Sequence, residues 1–280
     1  MDILRISAFS DGNKGGNPAG VLICDQLPPA EEMQKIAADV GYSETAFAMP
    51  DATDDAWRVR YFSPESEVPF CGHATIALGS ALAQKFGRGL YRLTLNKTQI
   101  TVEGSESDGL FQAALQSPPT QSSPSSVEVT EEVLDLFGYH GSQLDDRIGP
   151  AFINGGAGHF VLPLNSRQAL ADMSYDLDAG RTLMNRQGWV TIMLAFSENH
   201  RRFHTRNPFA SGGVYEDPAT GAASAAFAGY LRDLDWPHEG SIELIQGADM
   251  GMPCRIHAKI PDEKGSSIRV SGAARLMSDS

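Results

Sequence analysis

No stretch of this sequence is apolar for long enough to cross a bilayer; the longest run of small and apolar residues, 74–83, falls well short of the roughly 20 required. Its first residues, Met1-Asp2-Ile3-Leu4-Arg5, lack the basic segment and apolar run of a secretory leader, so the cytoplasm is the expected compartment. Basic residues are also scarce. With 22 against 35 acidic ones and a net charge of −13, a nucleic-acid backbone or an anionic membrane is not an expected partner. The three cysteines, Cys24, Cys71 and Cys254, are odd in number and form no CxxC spacing, so they read as reduced thiols rather than a disulfide framework or zinc site. The seven histidines form no HExxH or HxH motif. His159 stands apart, and the segment between His200 and His204 (Arg201-Arg202-Phe203) reads as the start of a strand, where that spacing does not converge on one ion. No metal is expected.

What remains is an ordinary globular composition, 41% hydrophobic and 20% charged, in a chain of 280 residues, enough for two modest domains. Strands are expected over 3–9 and 19–24, separated by a Gly/Asn turn. Pro28-Pro29 with Glu31-Glu32 open a helix whose apolar face is Met33, Ile36, Ala37 and Val40, and Gly41 closes it. Further strands are expected over 45–49 and 57–62, then a helix over 74–86 rich in small residues, then strands over 91–95, 100–102 and 111–115. The Ser/Pro-rich segment 118–126 reads as a linker that cannot build a core. Beyond it, Thr130 is the expected cap of a short helix ending at Gly138.

The second half replays the first. Gly16-Asn17-Pro18-Ala19-Gly20-Val21 is echoed by Gly155-Gly156-Ala157-Gly158-His159-Phe160, and each is followed by a helical stretch and an apolar strand. His73 lies nine residues beyond Pro64, and Asp217 nine beyond Pro208. Each neighbours an Ala-Thr pair and a helix of small residues, although aligning the pairs themselves sets Gly72 against Asp217. A duplicated α+β half is the economical reading.

Chemistry concentrates at Pro69-Phe70-Cys71-Gly72-His73-Ala74-Thr75 and Glu216-Asp217-Pro218-Ala219-Thr220-Gly221-Ala222, where a turn runs into a helix. A helix N-terminus leaves amides unpaired and carries partial positive charge, which suits a carboxylate. Such a site also stabilises the charge that develops when a proton leaves the neighbouring carbon. His73 and Asp217 are candidate acid–base groups there, and Glu44, just before an apolar strand, is a third.

Five ordered motifs then carry a resemblance over nearly the whole chain: Gly16-Asn17-Pro18-Ala19-Gly20-Val21, Ser43-Glu44-Thr45-Ala46-Phe47, Pro69 to Thr75, Glu216 to Gly221, and Gln246-Gly247 with Met250-Gly251. Together they resemble the PhzF-like family of phenazine-biosynthesis isomerases. The resemblance implies the diaminopimelate epimerase-like fold, α+β with two pseudo-symmetric halves. Each half is a mostly antiparallel curved sheet around a central helix (74–86 and 221–231), with the site in the cleft between them. It implies halves at 1–117 with 267–280 and at 127–266, a homodimer, and no cofactor. It makes Glu44 the proton-transferring residue and His73 and Asp217 assisting groups. Asn17, Gly72, Gly221 and Ala222 become contacts to a small amino- or hydroxy-acid carboxylate.

Two departures matter. Ala222 stands where the phenazine enzymes carry serine, with Ser224 two residues on, which leaves the substrate open. Cys71 matches one thiol of the two-thiol epimerases, but Asp217 occupies the partner position. The alternatives are therefore a thiol-dependent epimerase or racemase using Cys71 with Asp217, and a non-catalytic protein binding a small acid.

Overall fold

The computed structural model describes residues 2–51, 55–107 and 110–277. They fall into two compact units, Met1–Gln116 with Ser271–Ser280, and Ser117–Val270. Unit 1 contains β1 (Leu4–Ser10), β2 (Asn17–Ile23), α1 (Ala30–Val40), β3 (Thr45–Asp51), β4 (Ala56–Phe62), β5 (Glu67–Val68), α2 (Gly72–Phe86), β6 (Gly89–Thr94), β7 (Gln99–Ser107) and most of β8 (Leu110–Pro119). Unit 2 continues with β9 (Gln121–Pro124), α3 (Val127–Phe137), β10 (Ala151–Asn154), β11 (Gly158–Leu164), α4 (Arg167–Ala171), α5 (Leu177–Gln187), β12 (Thr191–Asn199), β13 (Arg202–Phe209), β14 (Val214–Asp217), α6 (Gly221–Asp233), β15 (Ser241–Gln246), β16 (Cys254–Lys259) and the start of β17 (Ser267–Leu276). The end of β17 belongs to unit 1, where Ala273 to Leu276 pair antiparallel with β1.

The fold is α+β and internally duplicated. In unit 1, β1 runs antiparallel to β2, β2 parallel to β3, β3 antiparallel to β4, β4 parallel to β6, and β6 antiparallel to β7. Unit 2 repeats the series with β10, β11, β12, β13, β15 and β16 in those places. The short strands β5 and β14 flank β4 and β13 alike. The echo read between Gly20 and His159 falls at matching register, because Gly20 pairs with Thr45 and His159 with Thr191.

Each unit has a helix buried on every side. Residues 73–83 of α2 are all buried, as is α6 from Ala223 to Arg232. Small side chains permit this: a methyl group on Gly79 would sit 2.5 Å from Val102 Cγ2 of β7, and one on Gly229 would collide with Thr120. The outer faces are covered too. In unit 1, Met33 and Ala37 of α1 pack with Leu22, Phe47 and Phe62. In unit 2, α3, α4 and α5 bury Val133, Leu170, Leu183 and Met184 against Phe160, Leu162, Ile192 and Leu194. Strands covered on both faces read as continuous apolar runs instead of alternating ones, as in residues 192–195.

Three expectations are corrected. Segment 118–126 is no linker: it completes β8, forms β9 against β10, and buries Thr120, whose hydroxyl accepts a 2.7 Å bond from Arg232 Nη2. The hydroxyls of Thr120, Ser122, Ser125 and Ser126 find partners, so their polarity does not keep the backbone in solvent. The cap of α3 is Ser126, which accepts from the Val129 amide at 3.3 Å, four residues ahead of Thr130. His73 and Asp217 are not equivalent positions. His73 is the second residue of α2, whereas Asp217 ends β14, ahead of the Thr220 cap and Gly221 start of α6. By helix position His73 corresponds to Ala222.

Candidate active site

In unit 1, α1 stops at Gly41 in the left-handed conformation (φ 71°), and the chain turns at once toward β3. Glu44 is the last residue before that strand, and its carbonyl accepts from the Gly20 amide at 3.2 Å, extending the β2–β3 ladder. The backbone is thereby held, leaving the half-buried side chain to face α2. There Glu44 Oε2 lies 3.4 Å from His73 Nε2, and Ser43 Oγ lies 3.3 Å from the same nitrogen. The other ring nitrogen, Nδ1, is 3.3 Å from Cys71 Sγ. One buried imidazole thus joins a carboxylate to a thiol, and whichever nitrogen bears the proton, the other can accept one.

The floor of this group is rigid. Cys71 caps α2 in an extended conformation, and its carbonyl receives both the Thr75 amide (3.0 Å) and the Thr75 hydroxyl (2.6 Å). Thr75 Oγ1 has then spent its proton, so the Tyr61 hydroxyl at 2.7 Å is the donor of that contact. Tyr61 is buried, which pushes its pKa far up and keeps it neutral. The first-turn amides of α2, at Gly72 and His73, have no partner within a helix. Asn17 opens β2, buried, opposite Ala8 of β1.

In unit 2 the loop between β14 and α6 is fastened by one side chain. Gln246, wholly buried at the end of β15, donates from Nε2 to the Asp217 carbonyl (2.7 Å) and to Thr220 Oγ1 (3.0 Å), and its Oε1 accepts from the Thr220 amide (3.2 Å). Thr220 in turn donates its hydroxyl to Asp217 Oδ2 at 2.6 Å. The carboxylate is aimed by Thr220, and Thr220 by Gln246. Next to it, Glu216 accepts a two-pronged, buried bond from Arg206 (3.0 and 2.6 Å), fixing β14 to β13. Gly221 and Ala222 begin α6, so their amides also lack helical partners. Ser224 does not replace the serine missing at 222, because its hydroxyl turns back to the Thr220 carbonyl at 2.9 Å.

The structure brings Glu44, His73 and Cys71 together, whereas sequence reading grouped Glu44 with His73 and Asp217 and set Cys71 beside Asp217 as an alternative; it missed Ser43, whose hydroxyl is legible only once His73 is placed. It missed the fastening role of Gln246, and also a buried polar chain, His159 Nδ1 to Thr191 Oγ1 (2.8 Å) to Asn207 Oδ1 (3.3 Å). His159 Nε2 and Asn207 Nδ2 end that chain with no hydrogen-bond partner among the described residues, and burial lowers the His159 pKa to about 4. His204 pairs with Glu198 at 2.7 Å and His200 stacks edge-on with Trp236, so these two do not converge.

Residues 6–280 match the family model described as phenazine biosynthesis-like protein, PhzC-PhzF. The chain belongs to this family. Trans-2,3-dihydro-3-hydroxyanthranilate isomerase of Pseudomonas aeruginosa is 30% identical, covering 95% of this chain and 94% of its own. The uncharacterized isomerase mll1393 of Mesorhizobium japonicum is also 30% identical, over 99% of this chain and 96% of its own. Among solved structures, a Bacillus anthracis phenazine biosynthesis protein of the PhzF family superposes with a TM-score of 0.84 at 22% identity, covering 99% and 98% of the two chains. It shares the fold. The protein is an isomerase of the PhzC-PhzF family, and among its described residues no helix is long and apolar enough to cross a membrane.

Proposed function

We propose that this isomerase shifts a proton on a small carboxylate-bearing amino or hydroxy acid, by acid–base catalysis without a cofactor. Glu44 removes the proton and returns it, and His73 assists. The observation that carries the reading is the 3.4 Å approach of Glu44 Oε2 to His73 Nε2 at the first turn of α2. A half-buried carboxylate beside an imidazole can pass a proton without leaving an unpaired charge behind. The reading assigns the Gly72 and His73 amides to the substrate carboxylate, whose oxygens take on charge as the proton departs. In unit 2 the same reading assigns Asp217 an assisting polar role, the Gly221 and Ala222 amides a grip on anionic oxygen, and Gln246 the positioning of that loop. Asn17 is assigned to substrate binding. Thiols at Cys24, Cys71 and Cys254 suit a reducing compartment, which supports the cytoplasm.

Ala222 supports a substrate other than the dihydro-hydroxyanthranilate of the Pseudomonas relative, because no side-chain hydroxyl is offered there. Screening small carboxylic acids by thermal shift, then measuring deuterium uptake from heavy water into those that bind, tests the reading. Glu44→Gln should keep binding and lose exchange by about 10²–10⁴-fold. Full exchange in that variant would refute it. A thiol-based epimerisation has one observation in its favour, the 3.3 Å contact between Cys71 Sγ and His73 Nδ1, which can draw off the thiol proton. It requires Cys71→Ser to abolish exchange; the Glu44 reading requires that variant to retain it.

A further inference from the structure

Glu44, Cys71 and His73 come from two separate segments, yet each offers one donor atom, and these atoms all lie within 4.8 Å of one another. We infer that this group is a binding site for a single soft divalent cation, zinc or cobalt, held by Cys71 Sγ, His73 Nε2 and Glu44 Oε2. The donor set is the sulfur, imidazole and carboxylate mixture that zinc prefers. The spacing fits between Glu44 and His73. Tetrahedral zinc with ordinary bond lengths sets its nitrogen and oxygen ligands about 3.3 Å apart and its sulfur and nitrogen ligands about 3.6 Å apart. The observed separations are 3.4 Å for His73 Nε2 to Glu44 Oε2 and 4.0 Å for Cys71 Sγ to His73 Nε2. The nitrogen–oxygen edge is met, whereas Cys71 Sγ lies beside the ring, nearer Nδ1 (3.3 Å) than Nε2, so closing the site takes a rotation of the Cys71 side chain to the Nε2 side.

The backbone around these donors is held in place. Cys71 and His73 are buried at the head of α2, and the Cys71 carbonyl is held by Thr75, which is braced by Tyr61. Binding replaces the thiol proton with the metal, so each ion bound to protonated Cys71 releases one proton, and affinity rises with pH. Three protein ligands leave a fourth position for water or a substrate oxygen. The ion takes the Glu44 carboxylate and the His73 lone pair, so it inhibits proton transfer rather than supporting it. That consequence rests on the proposed role of Glu44; binding itself does not.

The test uses the tag-free full chain titrated with cobalt(II), followed by displacement with zinc. One equivalent of cobalt should give a thiolate-to-cobalt charge-transfer band in the wild type and in Cys24→Ser, and zinc should abolish it. Cys71→Ser, where serine is an acceptable helix cap, should lose the band. His73→Gln and Glu44→Gln should keep the band but weaken binding by at least ~10-fold, since even outer-shell losses weaken metal sites by that much. A wild type without the band at large cobalt excess would overturn the inference, as would a band that survives Cys71→Ser or affinities unchanged in both other variants. If cobalt binds as described while deuterium exchange persists in Glu44→Gln, the metal site stands and the catalytic role of Glu44 falls.

Discussion

Replacing Gln246 by methionine keeps the length and bulk of the side chain but removes its hydrogen bonds. Three are lost: to the Asp217 carbonyl, the Thr220 hydroxyl and the Thr220 amide. Each is worth about 0.5–1.5 kcal/mol net, and the half-buried Asp217 and Thr220 can recover part of it from water, so the loss should be about 2–4 kcal/mol. At about 2–4 °C per kcal/mol, calorimetry or circular dichroism should show the melting midpoint fall on the order of 5–15 °C. Gln246→Glu keeps an acceptor for the Thr220 amide but sets a carboxyl group against the Asp217 carbonyl. Its folded pKa should be raised, because only the protonated form can donate to that oxygen. This variant should therefore be most stable at low pH and lose stability as pH rises through the carboxylate range. A loss under about 1 kcal/mol in Gln246→Met, or equal pH profiles for Gln246→Glu and wild type, would refute the idea that this side chain fastens the Asp217 loop.

Gly79→Ala places a methyl group 2.5 Å from Val102 Cγ2 and should destabilise the chain by about 1–3 kcal/mol in urea titrations. His159, buried and with its pKa lowered to about 4, stays neutral while the unfolded chain takes up a proton below about 6.5. It should remove about 3 kcal/mol of stability as pH falls from 7 to 4, and His159→Gln should flatten that part of the denaturation profile. Ala222→Ser restores a hydroxyl at the start of α6 and should raise turnover of trans-2,3-dihydro-3-hydroxyanthranilate by about 3–10-fold; unchanged turnover would remove residue 222 from substrate selection.

Duplication was legible because it leaves marks at both ends of each half: the glycine-rich turns before β2 and β11, and the small-residue helices α2 and α6. The ends of α1 were readable from Pro29, Glu31 and Gly41, each of which acts locally. Residues 118–126 were misread because serine and proline report on local preference, whereas β9 exists through its pairing with β10, which is distant in sequence. Helix α5 went unforeseen although Asp176 caps it and Gly188 closes it, since its outer face is polar and only Gly180, Leu183 and Met184 are buried. In the site, Glu44 could be singled out only by family resemblance. Nothing within ten residues of it announces the imidazole and thiol that give it a role. The matching of His73 with Asp217 failed for a related reason: equal spacing from a proline does not record where a helix starts.

The most direct measurement is deuterium incorporation from heavy water into a small carboxylic acid shown to bind, followed by mass spectrometry with wild type and Glu44→Gln side by side. The account predicts wild-type exchange and a drop of about 10²–10⁴-fold in the variant at unchanged thermal-shift affinity. Equal exchange in both would contradict it.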